Sequence, residues 1–298
     1  MKTILLLGST GQVGWELRRG LTRLGHVVSP TRAEADFNVP EGIASVVERS
    51  RPDIIVNAAA YTAVDAAEAD EARAFRVNAM SPGILGEEAK RHHAWLVHYS
   101  TDYVFDGTAG PYRETDEINP VNAYGRSKVA GEAAIRQSGC RHLIFRTSWV
   151  YGAHGANFVN TILRLARERD QLRIVSDQIG APTWSRRIAL ATVAVLDDVN
   201  LRSRSSDIAG TYHLTSAGST SWYEFAKLIV EHTSDTRAAS PRVHPIPSIE
   251  YPTPARRPKD SRLDCGKIAR TFAVSLPHWR EDALSCLDEM RRAGKAQR

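Results

Sequence analysis

Short apolar runs that lack polar alternation are the feature of this sequence that most restricts its fold. Five of them lie in the first half of the chain, at Thr3 to Leu7, His26 to Ser29, Asp53 to Asn57, Trp95 to Ser100 and Leu143 to Thr147. A run of this kind is typical of a strand that is buried on both faces of a parallel sheet. Segments with helical periodicity separate the runs, and each is long enough for a crossover connection. Among them are 72–92, with one break expected at 81–83, and 121–137, with Asn119 as its expected N-cap. Together they predict an α/β fold with a parallel sheet over residues 1 to about 150.

A glycine-rich stretch, Gly8-x-x-Gly11-x-x-Gly14, directly follows the first apolar run and opens a predicted helix. This is the setting that a dinucleotide-binding fingerprint requires, because the helix N-terminus offers aligned N–H donors to a pyrophosphate. In that interpretation Gly11 lets the backbone approach the pyrophosphate, and Gly14 lets the helix pack closely on the sheet. The alternative is a glycine-rich turn without a ligand. The position of the stretch favours a doubly wound Rossmann-type sheet.

Beyond residue 150 the pattern becomes less regular. Helices are predicted at 157–169, 187–197 and 222–231, and short strands at 173–175 and 212–214. The segment 240–258 contains six prolines and is expected to be extended or turn, whereas the last thirty residues look helical with a basic end. We therefore expect a dinucleotide-binding Rossmann domain at 1–150, to which the chain returns at about 185–215. The remainder of 151–298 is expected to form mainly a smaller, mixed α/β substrate domain.

The composition excludes several other classes of protein. The net charge of +5 is spread over 298 residues without a basic stripe interleaved with aromatic residues, so nucleic-acid binding is not expected. No apolar run is long enough to span a membrane, and the one at the N-terminus is too short for a signal peptide. The three cysteines, Cys140, Cys265 and Cys286, are far apart and indicate neither disulfides nor a zinc site. A cytoplasmic protein is the expectation.

Tyr124 and Lys128 lie four residues apart on a predicted helix and therefore share one face. A lysine ammonium beside a tyrosine lowers the phenol pKa from about 10, so that the tyrosine can exchange a proton with an alcohol or a ketone. Tyr223 and Lys227 repeat the spacing. Only the first pair follows a strand that ends in hydroxyl groups. We predict that Tyr124 and Lys128 are catalytic and that the second pair is surface helix spacing.

The strand before that helix ends in Ser100-Thr101-Asp102. A hydroxyl fixed at this tip could hydrogen-bond a substrate carbonyl while Tyr124 protonates it. A helix cap or a turn is the alternative use of such residues. Strand tip, loop and Tyr-x-x-x-Lys helix together favour the catalytic interpretation.

The choice of cofactor is expected to depend on the residues after the second apolar run. An arginine there accommodates the 2′-phosphate of NADPH, whereas an acid binds the ribose hydroxyls of NADH. The chain offers Arg32, with Glu34 and Asp36 shortly after it. Arg32 favours NADPH, and Glu34 keeps NADH open. A solvated loop charge is the alternative role for Arg32.

Three further stretches have two interpretations each. Asn57 to Ala60 ends a strand with small side chains, which either leave room for a ligand or simply pack closely. Trp149 ends the last regular strand, where an aromatic ring can stack on a sugar or base or fill the core between domains. Arg256 and Arg257 lie in a proline-stiffened loop and suit either a diphosphate or the solvent.

These motifs resemble those of the extended short-chain dehydrogenase/reductases. Within that family the chain is similar to the branch that reduces dTDP-4-dehydrorhamnose. The resemblance extends over nearly the whole chain. Its motifs are GSTGQVGWEL, RPDIIVNAAAYTAVDAAE, HYSTDYVFDG, NAYGRSKVAGE, FRTSWVYG, DQIGAPT and YPTPARRP. The last three lie outside the common cofactor machinery and point to this branch.

The resemblance implies hydride transfer from NADPH, with NADH as the alternative, to the C4 carbonyl of dTDP-4-dehydro-β-L-rhamnose. Tyr124 would donate the proton, Lys128 would hold the nicotinamide ribose, and Thr101 would hydrogen-bond the C4 oxygen. Asp102 and Trp149 would contact the sugar together with Thr101. The resemblance assigns the cofactor groove to Gly11, Gln12, Val13, Asp36, Phe37, Ala60, Tyr61, Thr62 and Tyr99.

Some family members are dimers that hold Mg²⁺ between carboxylates at the interface. Glu16 could match one ligand, but the segment after Ala181-Pro182-Thr183, where another acid would be expected, carries Arg186 and Arg187. We therefore predict no metal site, while a homodimer stays possible. Two other functions remain open: an epimerase with tightly bound NAD⁺, and a non-catalytic regulatory subunit that binds NADP.

Overall fold

Six parallel strands form the central sheet of the computed structural model, which describes residues 1–202, 208–233 and 241–296. Their order across the sheet is β2-β1-β3-β4-β5-β10, and every neighbouring pair is parallel. The strands are β1 (Thr3–Leu7), β2 (His26–Val28), β3 (Ile54–Asn57), β4 (Trp95–Thr101), β5 (Arg141–Thr147) and β10 (Gly210–His213). The predicted parallel α/β sheet is confirmed.

Helices cover both faces of the sheet and also form much of the chain beyond it. They are α1 (Gln12–Leu21), α2 (Glu41–Ser50), α3 (Val64–Ala69), α4 (Glu71–Phe75), α5 (Ser81–Arg91), α6 (Ala123–Ser138), α7 (Phe158–Glu168), α8 (Ser185–Arg202), α9 (Trp222–Thr233), α10 (Gly266–Phe272) and α11 (Trp279–Ala296). A π-helical turn, Arg76–Met80, joins α4 to α5. None of the helices in the described ranges is both long and apolar enough to cross a membrane.

The sheet buries both of its faces, as its strand sequences predict. Successive side chains of β1 alternate between two hydrophobic clusters, with Ile4 and Leu6 in one and Leu5 and Leu7 in the other. Helices α1 and α8 cover the first cluster, and α2, α5 and α6 cover the second. The architecture is therefore doubly wound, with a Rossmann-type arrangement of layers.

The order of the strands reverses at β1, which has β2 on one side and β3 on the other. In open parallel sheets, ligands bind at such a switch point, outside the carboxyl ends of the strands. The loops that leave β1 and β3 meet there. These loops are Gly8 to Gly11 and Ala58 to Ala60, the two segments that the sequence analysis associates with a cofactor.

The chain after residue 150 divides its elements between two regions. Helix α8 packs on α1, and β10 extends the large sheet beside β5. The other strands form three two-stranded pairs: β6 (Val150–Tyr151) with β9 (Thr183–Trp184), β7 (Gln171–Val175) with β12 (Arg242–Ile246), and β8 (Ile179–Gly180) with β11 (Thr220–Ser221). Together with α7, α9 and α11 they enclose a separate cluster around Phe225.

Several predicted boundaries differ from the structure. We expected the helix that carries Tyr124 to follow Asn119, but Asn122 is its N-cap and accepts a hydrogen bond from Gly125 N at 2.8 Å. The Asn119 side chain instead donates to Asp106. The break expected at residues 81–83 is also wrong, because the chain stays helical through Pro82 and the irregular part is the π-helical turn Arg76–Met80 just before it.

Candidate active site

The connection from β1 to α1 needs glycine at two of its three motif positions for reasons within the protein. Gly8 has φ +75°, and a Cβ there would lie 2.4 Å from Ala59 N. A Cβ on Gly14 would lie 2.1 Å from Gly8 O. At Gly11 the nearest atom would be 3.4 Å away, an ordinary contact. The loop is therefore packed against β3 and α1, and the protein itself leaves space at Gly11.

A cleft of about 380 Å³ opens at the switch point of the sheet. Its lining contains eight of the residues predicted to bind a cofactor, namely Gly8, Gly11, Arg32, Asp36, Phe37, Ala60, Tyr61 and Thr62. The backbone N–H groups of the first turn of α1, including that of Val13, point towards the same end of the sheet. These features fit a dinucleotide, with its pyrophosphate at the start of α1.

Gln12 enters the site with its backbone only. Its side chain extends away from the cleft, where the Gln12 Oε1 atom accepts a hydrogen bond from Asn157 Nδ2 at 3.0 Å. Asn157 is also the N-cap of α7. The Gln12 side chain therefore connects the cofactor loop to the second region of the protein.

Arg32 and Glu34 differ in their relation to the cleft. Arg32 is exposed and lines it. Glu34 does not line it, because its Oε2 atom accepts hydrogen bonds from Thr31 N at 2.7 Å and from Thr31 Oγ1 at 2.8 Å. These hydrogen bonds hold the pKa of Glu34 below its usual value. Glu34, the acid that could bind the ribose hydroxyls of NADH, is thus hydrogen-bonded within its own turn.

Arg73 is a cleft residue that the sequence analysis missed. Its guanidinium carbon lies 5.5 Å from the centre of the Tyr61 ring, and its Nε donates to Asn38 Oδ1 at 3.0 Å. Asn38 in turn donates to Asp36 Oδ1, and these bonds lower the pKa of Asp36. Arg73 lies in α4, far from any glycine motif, so no local pattern marked it.

Tyr99 has a different place from the one expected. Its ring packs against Phe145 at a centroid distance of 6.1 Å, and its hydroxyl forms a hydrogen bond of 2.8 Å with Thr192 on α8. The side chain therefore belongs to the core beneath α8 and does not line the groove. Only the Tyr99 carbonyl faces the site.

Tyr124 lies beside Thr101, as the sequence analysis predicted. Its side chain is 9% exposed, and its ring meets the Tyr103 ring edge-on at 6.0 Å. Burial raises the pKa of Tyr124 to about 12, against the effect of its hydrogen bond with Thr101, and the nearby Asp102 raises it further. The expected lowering of this pKa by Lys128 is therefore wrong for the protein without ligands.

Lys128 points to β4 instead of to the phenol. Its Nζ donates to the Tyr99 carbonyl at 2.6 Å and lies 3.1 Å from His98 Nε2. The side chain is fully buried, and this burial lowers the pKa of Lys128 to about 8. The helical spacing brings Tyr124 and Lys128 to one face, but their polar atoms find different partners.

Thr101, at the tip of β4, both caps a turn and takes part in the cluster with Tyr124. Thr101 Oγ1 accepts a hydrogen bond from Tyr103 N and so caps the short 3₁₀ turn Asp102–Val104. The same hydroxyl donates to Asp102 Oδ1 at 3.0 Å and is within reach of Tyr124. Burial raises the pKa of Asp102 to about 7. The Thr101 hydroxyl, the Asp102 carboxyl and the Tyr124 phenol thus form one buried cluster.

The residues expected to hold the sugar nucleotide are partly engaged within the protein. Trp149 has φ +45°, and its ring stacks on Trp222 with the centroids 3.5 Å apart. Arg257 pairs with Asp65 Oδ2 at 2.7 Å and so connects its loop to α3. Arg256 is exposed and lines, with Arg257, a second cleft of about 530 Å³. Packing between the two regions is thus the observed role of Trp149, and Arg257 is not a free cation.

The second Tyr-x-x-x-Lys pair lies on α9, away from both clefts. Lys227 is 45% exposed, and its Nζ lies 4.0 Å from Glu231 Oε1 one turn later. Neither Tyr223 nor Lys227 borders the glycine loop or the tip of β4. This placement agrees with surface helix spacing.

An arginine occupies the position where the resemblance would place a metal ion. The Arg186 guanidinium lies between Glu16 of α1 and Glu289 of α11. Its Nε is 3.1 Å from Glu16 Oε2, and its Nη2 is 2.7 Å from Glu289 Oε1. Because a cation already fills the space between the two carboxylates, the residues present do not fit Mg²⁺.

One group of three potential metal ligands lies elsewhere among the residues described: Glu48, Glu88 and His92. His92 Nε2 is 3.1 Å from Glu48 Oε2, and Glu88 pairs with Arg91 at 3.1 Å. The group forms a cluster of polar contacts between α2 and the end of α5. It has no connection with the clefts.

Comparison with known proteins decides the family. The sequence model described as "RmlD substrate binding domain" matches residues 1–292. The chain belongs to this family. RmlD relatives include the dTDP-4-dehydrorhamnose reductase of Burkholderia thailandensis, which is 50% identical over 293 residues that cover 96% of this chain and 98% of the relative. The dTDP-4-dehydrorhamnose reductase of Escherichia coli K12 is 45% identical, with coverages of 96% and 97%.

Solved structures of the RmlD family have the same fold. The dTDP-4-dehydrorhamnose reductase of Clostridium acetobutylicum superposes with a TM-score of 0.89 at 34% identity, covering 97% of this chain and 99% of that one. The Bacillus anthracis reductase, solved in complex with NADP, gives a TM-score of 0.88 at 32% identity and the same coverages. A UDP-glucose 4-epimerase of Thermus thermophilus, at 19% identity and a TM-score of 0.78, shares the fold alone.

Proposed function

We propose that this protein reduces the C4 carbonyl of dTDP-4-dehydro-β-L-rhamnose to give dTDP-L-rhamnose, with NADPH as the hydride donor. The observation that carries the proposal is the buried Thr101–Tyr124 pair, in a chain that is 50% identical to a named reductase. Tyr124 shares a hydrophobic cluster with Tyr61, which lines the switch-point cleft. The name of the relative supports the substrate, and the geometry supports the chemistry.

Tyr124 is the proposed proton donor. The nicotinamide, when bound, supplies the hydride to C4, and the oxygen at C4 then gains negative charge. Thr101 hydrogen-bonds that oxygen, and Tyr124 gives it the phenolic proton. A pKa of about 12 keeps Tyr124 fully protonated at neutral pH, so the phenol carries its proton before hydride transfer. Lys128 would hold the nicotinamide ribose after it leaves its partners on β4.

NADPH is the preferred cofactor in this proposal, with NADH as a poorer substitute. Arg32 lines the cleft, whereas Glu34 is held by Thr31. Arg73 adds a second cation to the same wall. The two guanidinium groups suit a 2′-phosphate. The B. anthracis relative was solved with NADP, which is consistent with this preference.

The substrate is proposed to enter from the second region of the protein. Asp102 and Thr101 would meet the sugar, the free edge of Trp149 would contact it, and Arg256 would face the diphosphate.

We propose residues 1–150 with 185–215 as the cofactor domain and the rest of 151–298 as mainly the substrate domain. A cytoplasmic location, a possible homodimer and no nucleic-acid partner complete the proposal; three unpaired cysteines support the location.

The Tyr124→Phe variant tests the proposed chemistry. It removes the proton donor without emptying the site, so NADPH should still bind while turnover falls by roughly 100- to 10,000-fold. The assay follows the loss of NADPH absorbance with dTDP-4-dehydrorhamnose as substrate. Tyr223→Phe is the matched control and should keep wild-type turnover. Normal activity of Tyr124→Phe, or an NAD⁺ that co-purifies and does not exchange, would contradict a reductase.

A further inference from the structure

A buried chain of polar groups runs from the wall of the cofactor cleft to Lys128. Ala59 N donates to Asn57 Oδ1 at 3.1 Å, and Asn57 Nδ2 lies 3.1 Å from His98 Nδ1. His98 Nε2 then lies 3.1 Å from Lys128 Nζ. Asn57, His98 and Lys128 are each at most 1% exposed, so water does not supply alternative partners.

In this series of hydrogen-bonded groups, the role of each group as donor or acceptor fixes the role of the next. The N–H of Ala59 requires the oxygen of the Asn57 amide, and the Asn57 nitrogen must therefore face His98. Because that nitrogen can only donate, His98 Nδ1 must accept. A neutral histidine that accepts at Nδ1 carries its proton on Nε2. The His98 Nε2–H group therefore points at Lys128 Nζ.

A lysine that faces an N–H donor must accept with its own lone pair. Only the neutral amine has one, since an ammonium group has three donors and no acceptor. The neutral amine can also donate to the Tyr99 carbonyl at 2.6 Å, so each observed contact is satisfied. With an ammonium at Lys128, two donors would face each other inside the protein.

The charges around Lys128 do not oppose a neutral amine. The nearest acid, Glu132, lies one turn later on α6 and is held by Arg146 of β5 at 2.7 Å and by Arg136 at 3.1 Å. Tyr124, one turn earlier, is protonated. Glu132 does favour the ammonium, but burial outweighs it and lowers the pKa of Lys128, while the pKa of His98 is also well below its usual value.

We propose that Lys128 is a neutral amine in mildly alkaline solution before NADPH binds, and that it takes up one proton there when NADPH binds. A dinucleotide brings phosphate charge and ribose hydroxyl acceptors to the groove beside α6, and both favour an ammonium. The proton comes from solvent, and the new ammonium turns from His98 to the ribose. His98 and Asn57 are positioning residues that act through Lys128. This inference rests on the proposed role of Lys128 in cofactor binding.

Calorimetry of NADPH binding tests the proton uptake directly. The titration is run at about pH 9, above the lowered pKa of Lys128, in two buffers with different enthalpies of ionisation. The difference in binding heat gives the number of protons exchanged. We expect an uptake that approaches one proton per NADPH and falls as the pH is lowered. Binding without any uptake would overturn the inference but leave the proposed function intact. A failure to bind NADPH at all would contradict the proposed function.

Two variants test whether Lys128 is the group that takes up the proton. Asn57→Asp offers only acceptors to His98, which moves the histidine proton to Nδ1 and gives Lys128 a lone pair at Nε2. Lys128 should then be protonated before NADPH arrives, and the uptake should disappear. Lys128→Met should also show none, because the titrating group is gone; uptake that persists in this variant would overturn the inference. Asn160→Asp, the same substitution at a half-buried position of α7, is the matched control and should keep wild-type uptake.

A separate observation supports a second inference about the Glu16, Arg186 and Glu289 cluster. Arg186 reaches Glu16 with Nε and Nη2, and it reaches Glu289 with Nη1 and Nη2. Its side chain is 35% exposed, and the guanidinium carbon lies 4.8 Å from the centre of the Trp184 ring. One guanidinium thus joins α1, α8 and α11.

We infer that Arg186 is the resident cation of this cluster and replaces a divalent metal ion there. Two carboxylates on different helices repel each other unless a cation lies between them. Arg186 supplies that cation from within the chain. Unlike a bound ion, it does not depend on metal supply and is not removed by a chelator. The pKa of Arg186 is raised mainly by its bonds to the two glutamates, as expected for a permanent charge.

Thermal unfolding with and without Mg²⁺ tests this second inference. Neither EDTA nor millimolar Mg²⁺ should move the melting temperature of the wild type by more than about 1 °C. Arg186→Glu creates three adjacent carboxylates and should unfold at lower temperature without Mg²⁺, then recover by about 2–4 °C or more with it. Arg18→Glu, the same charge change on an exposed part of α1, should show no Mg²⁺ effect. Saturable Mg²⁺ binding by the wild type that Glu289→Gln removes would overturn the inference.

Discussion

Asp102 is a buried carboxyl, at a position proposed to contact the substrate, whose burial lowers the stability of the fold. Burial raises its pKa to about 7, so the folded protein keeps the proton between about pH 4 and 7, where the unfolded chain has lost it. The folded state therefore binds more protons in that window, and stability falls as the pH rises through it. The cost approaches, at most, on the order of 4 kcal/mol above pH 7.

We expect Asp102→Asn to relieve this cost. The amide has no charge to bury and can still accept from the Thr101 hydroxyl. Urea unfolding of variant and wild type should give similar free energies near pH 4, and the variant should become the more stable of the two as the pH rises to about 8.

The matched control for this prediction is Asp106→Asn. Hydrogen bonds from Tyr112 and Thr108 lower the pKa of Asp106 to about 2, so its carboxylate stabilises the fold above the usual aspartate range. That variant should be the less stable one at neutral pH, and its deficit should shrink on acidification. The same pH response in both variants would contradict the assignment of the two carboxyls.

At the scale of residues, the sequence predicted which residues form the site better than it predicted the partners of each one. The Tyr124–Lys128 spacing and the hydroxyl at Thr101 were sufficient to find the cluster, because helical periodicity and the end of a strand are local properties. The partners of Lys128 could not be predicted. His98 lies 30 positions away, and nothing in a strand sequence shows that this particular histidine is buried against a lysine. Arg73 escaped notice for the same reason.

At the scale of elements, α6 and β5 are joined by a fully buried ion pair. Arg146 donates to both oxygens of Glu132, from Nε at 2.9 Å and from Nη2 at 2.7 Å. Arg146→Met leaves the half-exposed Arg136 as the remaining arginine partner of this buried carboxylate. We expect a loss of about 3–5 kcal/mol in the free energy of unfolding, measured with urea.

An exposed ion pair provides the comparison. Arg164 and Glu168 lie four residues apart on α7 with side chains 61% and 50% exposed. Arg164→Met should cost less than about 0.5 kcal/mol. Equal losses in the two variants would show that Arg146 contributes no more than a surface charge.

Strand positions were predicted more accurately than helix ends. Buried strands show as unbroken apolar runs, whereas the ends of helices depend on which polar side chain finds a backbone N–H. Asn122 and Asn119 are both plausible caps by sequence, and only the hydrogen bond from Asn119 to Asp106 decides between them. Helix α3 and the π-helical turn were not anticipated, because α3 has only six residues and a π-helical turn has no pattern of its own within a helical stretch.

At the scale of the whole molecule, the sequence predicted the large sheet and its helical layers. The short strand pairs after residue 150 could not be predicted, since each strand of two residues carries almost no pattern. Only β7 and β12 are longer, and they lie about seventy residues apart in sequence. Such pairings form because α7, α9 and α11 bring the segments together, which is a property of the assembled core.

Asn122 has a consequence for the way the two regions of the protein are connected. Its Oδ1 accepts from Gly125 N in the first turn of α6, while its Nδ2 donates to the Arg256 carbonyl at 2.8 Å. If the loop that carries Arg256 opened, the Asn122 side chain would lose one of the two hydrogen bonds that fix it, and the cap of α6 would weaken. Hydrogen exchange at the single Gly125 amide would therefore report the opening of a loop more than a hundred residues away in the chain. A nucleotide that closes this loop would slow that one exchange rate without contacting Gly125.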